Sequence, residues 1–145
     1  MARSRITDTA TNIFGNDDGT SLLSFTEREK RTIDFELNST QFADISQMTI
    51  TAVLIEGDND GAGTPPDAFL PTASVQAVPV VSQVGNVFKL YFDLASLITG
   101  WTHQPSPGIP TYGFVSVTIN DNAAANPQEY ELFRGRLEVV YSVGI

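Results

Sequence analysis

The sequence predicts an all-β fold: one antiparallel β-sandwich of about seven strands, preceded by an extended N-terminal arm. Three observations lead there. The dominant hydrophobic period is two rather than 3.6, which is how a half-buried strand reads. Turn signals rich in Gly, Asn, Asp and Pro separate the runs at short intervals, as in small sandwiches. The chain has 145 residues, 41% of them hydrophobic, a length that suits one domain burying roughly 70% of its unfolded surface.

The elements follow in order. Residues 1–20 mix Thr, Asn and Asp with isolated Ile6, Ile13 and Phe14 and have no period. They are expected to form the arm, with the sandwich over 21–145. The arm either packs on its own domain or is clamped by neighbouring subunits in an assembly. Arg3, Arg5, Ile6, Ile13 and Phe14 are the candidate partner-interface residues. Two cations on such an arm can meet an acidic neighbouring surface and guide docking. A first strand is expected at 22–26, followed by Glu27-Arg-Glu-Lys-Arg31, a mixed-sign run expected to be a solvated turn.

In 31–37, Ile33, Phe35 and Leu37 fall on one face and Thr32, Asp34 and Glu36 on the other. Residues 48–55 alternate Met48, Ile50, Ala52 and Leu54, and 75–81 read as a single strand. After a Gly85-Asn86 turn, 87–92 place Phe88, Leu90 and Phe92 inward. One short helix is expected from Leu94 to Thr99, with Asp93 able to cap its start and Gly100 to stop it. Pro105, Pro107 and Pro110 make 104–110 a surface loop, since neither a helix nor a central strand tolerates them. Strands at 112–119 and 132–143 complete the count.

Charge and composition exclude several functions. With 8 basic and 17 acidic residues the net charge is −9, which repels phosphate backbones and anionic lipid, so neither nucleic acid nor membrane is expected as partner. The chain has no Cys and one His, His103, so no disulfide framework, thiol nucleophile or multi-histidine metal centre is expected. No apolar run is long enough for a bilayer, and Met1-Ala-Arg-Ser-Arg5 leads into no signal-peptide core. The chain is therefore expected to be made and used as it stands, soluble, with no cofactor.

The remaining chemistry is sparse. Glu56, Asp58 and Asp60 take positions 1, 3 and 5 of a calcium-loop spacing, with Gly61 at the turn and Asp67 last. No Glu closes the loop and no helix flanks it, so 56–67 is expected to be a solvated turn. His103 precedes Ser106, but no Gly-x-Ser-x-Gly elbow accompanies them, and His103 is expected on an exposed loop. No catalytic site is read. Trp101 and Tyr112 could form an aromatic sugar platform, although a lone Trp in a small sandwich commonly anchors core or loop. No phosphate-binding glycine loop follows any strand.

The strand grammar resembles a known group. Leu23-Ser-Phe-Thr-Glu-Arg-Glu-Lys-Arg-Thr-Ile-Asp-Phe-Glu-Leu37, followed by Ala43-Asp-Ile-Ser46, is similar to the opening of immunoglobulin-like domains in bacteriophage tail and baseplate proteins. Gly85-Asn-Val-Phe-Lys-Leu90 and Leu132-Phe-Arg-Gly-Arg-Leu-Glu-Val139 are similar to later strands of that group. The arm and the 57–74 and 102–111 loops depart from its pattern. The resemblance implies an immunoglobulin-like sandwich and a non-enzymatic virion structural protein of the tail, baseplate or fibre-attachment region. It would be made in the host cytoplasm and partnered by other virion proteins and copies of itself in a symmetric assembly. A capsid decoration protein is the neighbouring alternative, and a carbohydrate-binding sandwich, with a glycan partner, the alternative from another class.

Overall fold

The computed structural model describes residues 4–5, 22–37, 40–58, 75–122 and 128–141. They form an all-β sandwich of two sheets. The larger holds six strands in the order β1-β9-β8-β4-β5, with β2 also paired to β9; the smaller is β3-β7-β6. The strands are β1 (Ser4–Arg5), β2 (Leu22–Thr26), β3 (Lys30–Glu36), β4 (Thr49–Glu56), β5 (Val75–Val78), β6 (Val80–Val84), β7 (Val87–Asp93), β8 (Thr111–Asp121) and β9 (Gln128–Val140). A four-residue helix α1, Leu94–Leu97, follows β7, and a 3-10 turn, Thr40–Phe42, precedes β4.

Alternation sets the core. On β3, Ile33 and Phe35 are buried between exposed Thr32, Asp34 and Glu36, while β7 buries Phe88, Leu90 and Phe92. In the register Phe35 lies opposite Phe88 and Ile33 opposite Leu90, and the Phe35 and Phe88 rings stack with centroids 5.1 Å apart. Offset aromatic pairs of this kind add about 0.5–1.5 kcal/mol beyond their buried area. Ile50, Ala52 and Leu54 of β4, Val115, Val117 and Ile119 of β8, and Leu137 and Val139 of β9 meet them from the large sheet.

Two plugs close the ends of this core. At one end, Phe42 and Ile45 are fully buried. The Gly85-Asn86 hairpin tip binds there: Gly85 O accepts from Ile45 N at 2.7 Å, and Asn86 O accepts from Leu37 N at 2.9 Å. Gly85 has φ +60, the positive value that a type II′ hairpin needs at its first central position. At the other end, α1 and the turn after it bury Leu94, Leu97, Ile98 and Trp101.

The structure corrects several expectations. The large sheet is mixed, because β1 and β2 both run parallel to β9. No hairpin joins these strands; nearly the whole domain lies between them, so no tight turn dictates an antiparallel direction. The expected strand 75–81 is two, β5 in the large sheet and β6 in the small one, divided at Pro79. Proline has no N–H to give a ladder, and its carbonyl is used instead by Tyr91 N at 3.0 Å. The helix ends at Leu97, earlier than expected. Asp93 makes no side-chain cap to its backbone, and accepts instead from Ser96 Oγ at 3.3 Å.

The Glu27–Arg31 run is more tied down than a solvated turn. Arg31 lies 4.1 Å over the Phe25 ring, donates to Ser24 O at 2.9 Å and pairs with Glu29 at 3.0 Å. Of the arm, Ser4 and Arg5 pair by their backbones with Tyr130 and Glu131. Arg3, Ile6, Ile13 and Phe14, and the side chain of Arg5, lie outside the described residues.

Phe88→Ala removes half of the stacked pair at the centre of the core. It is expected to lower unfolding free energy by about 3–5 kcal/mol, read from urea unfolding followed by tryptophan fluorescence.

Candidate functional site

Among the described residues, Glu56, Trp101, His103, Ser106 and Tyr112 lie at one end of the sandwich, around the loop from Trp101 to Pro110. The last residue of β4 organises it. Glu56 is fully buried, and its carboxylate accepts from Thr102 N at 2.9 Å and from His103 N at 3.0 Å. A buried carboxylate persists where such donors replace its water. His103 Nδ1 stands 3.8 Å from Glu56 Oε2, beyond hydrogen-bond distance.

Glu56 is thus neither part of a solvated turn nor a ligand turned outward. Both oxygens are engaged in fixing the loop. Asp58 is exposed; Asp60, Gly61 and Asp67, the rest of the calcium-like pattern, lie outside the described residues. No group of three or more His, Cys, Asp or Glu positioned for a metal occurs among the described residues.

Behind the clamp, the loop folds on itself. Thr111 Oγ1 donates to His103 O at 2.9 Å, and Gln104 Nε2 donates to Ile98 O at 2.8 Å and Trp101 O at 3.1 Å. Ser106 and Ile109 exchange both backbone bonds around Gly108, whose φ is +76. Ser106 is thereby held in a tight turn. The loop keeps this form because polar side chains satisfy carbonyls that no strand reaches.

The two candidate sugar-platform residues are both buried, Trp101 and Tyr112 at 4% exposure each. The Trp101 ring presses on Gly113 of β8, where an added Cβ would come within 2.5 Å of the indole. Trp101 is the loop anchor, and an aromatic face for stacking a sugar is not offered there. Tyr112 pairs across the ladder with Glu138. Burial, and then the neighbouring Glu138 carboxylate, raise the Tyr112 pKa above its ordinary value of 10.0.

Two shallow clefts open nearby. One, of about 350 Å³, lies among Pro107, Ile109, Pro110, Val140 and Tyr141. Its walls are mainly apolar, and Ile109 and Tyr141 are exposed. The other, of about 400 Å³, lies between Glu27, Arg28, Thr99 and Gln104. Sequence reading missed both, because they are formed by segments far apart in the chain.

Two measurements check this end of the molecule. Glu56→Gln replaces one acceptor oxygen with a donor facing backbone N–H groups. It is expected to cost about 1–3 kcal/mol of stability and to speed amide exchange at Thr102 and His103, read by hydrogen exchange. A raised Tyr112 pKa means that the native state holds this proton longer than the unfolded chain does. Its stabilising contribution is complete below the unfolded value near 10.0 and is lost as pH rises through the folded value. Tyr112→Phe is therefore expected to flatten the alkaline fall in urea midpoint relative to the parent chain.

No family model matches this chain, and no curated protein matches it.

Proposed function

We propose that the chain is a non-enzymatic structural component of a bacteriophage virion, in the tail, baseplate or fibre-attachment region, acting through protein–protein interfaces. The domain is an immunoglobulin-like sandwich in this reading. The observation that carries it is the pairing layout. A strand early in the chain, β2, runs parallel to the last strand, β9. The order β9-β8-β4-β5 in one layer faces β3-β7-β6 in the other. Those pairings support an immunoglobulin-like arrangement, and the strand patterns Thr32 to Leu37, Gly85 to Leu90 and Leu132 to Val139 support the phage resemblance.

The use of the end-loop chemistry agrees. Glu56, the most deeply buried acid among the described residues, is engaged through both oxygens by backbone amides. Its role is architectural: it sets the shape of a loop that a partner can read. Capsid decoration is the same kind of role at another place in the particle.

Deletion of residues 1–15 tests the arm. It removes β1 but leaves β2 to pair with β9, so the truncated protein is expected to keep its far-ultraviolet circular dichroism and unfold cooperatively. It is expected not to join its oligomer or particle. Normal incorporation of the truncated protein, seen by electron microscopy of labelled particles, would overturn the arm's part in assembly.

A further inference from the structure

We infer that the edge of β6, on the uncharged side of the sandwich that β5 continues, is a self-association surface, on which a second copy of this chain lays its own β6 in antiparallel pairing. This rests on the assembly reading above and names a surface for it.

The sheet edges differ in how they are guarded. β3 presents Lys30, Arg31, Asp34 and Glu36 along its length. At β2, the Ser24 carbonyl is occupied by the Arg31 guanidinium. Charges and blocked backbone groups of this kind keep edges from pairing with other chains. On the opposite side, β5 ends the large sheet and β6 ends the small one, and one residue, Pro79, joins them. No Asp, Glu, Lys or Arg occurs between Asp67 and Lys89, so this wall has no charge of its own. Val75, Val81 and Val84 are 55%, 54% and 71% exposed on it.

Charge selects the occupant. A chain of net charge −9 repels its own copies over most of its surface. The β6 edge lets two copies meet without opposing like charges. Valine-rich strands suit the pleated contact, and the backbone groups of β6 that face away from β7 supply the hydrogen bonds. Antiparallel pairing of two identical strands has two-fold symmetry, so the contact is self-complementary and closes as a dimer. The irregularity between Val80 and Ser82, together with Pro79, stops the ladder from running into β5. Pairing is confined to Ser82–Val84, with Val81 beside it as an apolar contact.

The test is sedimentation velocity on the full chain over a range of concentrations, with Val81→Lys/Val84→Lys and a control, Thr32→Lys, on the charged β3 edge. Wild type and control are expected to sediment as dimers, and the double variant as a monomer with an unchanged circular dichroism spectrum. A monomeric wild type, or a double variant that dimerises as tightly as wild type, overturns the inference. The second result leaves arm-mediated assembly standing, since the 1–15 deletion reads that separately. If the double variant misfolds, Ser82→Cys/Val84→Cys decides, because antiparallel pairing centred on Gln83 sets Ser82 of one copy opposite Val84 of the other, within disulfide reach. The chain has no Cys, so a disulfide-linked dimer under mild oxidation supports the β6 pairing and its absence overturns it.

Discussion

The fold depends on a mismatch of area: a three-stranded sheet has to cover one of six strands. The small sheet answers with bulk. Phe35, Phe88 and Phe92 are all fully buried from its two longer strands, and aromatic side chains fill more of the interlayer space than aliphatic ones at the same positions. Where the small sheet stops, other elements take over. Phe42 and Ile45 close one end, and Leu94, Leu97, Ile98 and Trp101 the other. Loops and a single helical turn thus complete a core that the strands alone leave open.

That arrangement explains the buried acid. Loop residues which seal a core bring backbone amides with them, and amides away from water need acceptors. Glu56 supplies two oxygens to Thr102 and His103. The loop it fixes delivers Trp101 onto Gly113, where only a residue without a side chain leaves room for the indole. Charge, loop course and aromatic packing are therefore one coupled unit at this end of the sandwich.

Much of the fold was legible in the sequence, and its gaps have physical causes. The alternation of Ile33, Phe35 and Leu37 and of Phe88, Leu90 and Phe92 reads directly, because period two with one wet face has one solution. The 75–81 run did not divide by hydrophobicity, since the change of sheet at Pro79 alters neighbours and not polarity. Glu56 was misread because Gly57 and Asp58 beside it look like a turn, whereas its partners lie at Thr102 and His103. For Trp101 the sequence offers both a loop anchor and a sugar platform, and its packing on Gly113 selects the anchor; nothing local marks Tyr112 as buried opposite Glu138. The parallel β2–β9 pairing has no local signal at all.

That last pairing bears on how the domain carries load. β2 and β9 lie side by side and point the same way, with Leu22 opposite Arg136 and Thr26 opposite Val140. Tension entering the sandwich at the start of β2 and leaving at the end of β9 pulls the two strands in opposite directions along their length. The hydrogen bonds between them are then strained together, in shear, and not opened one after another as in peeling a hairpin. Rupture needs the collective failure of the ladder. A sandwich wired in this way resists stretching along that axis better than it resists peeling.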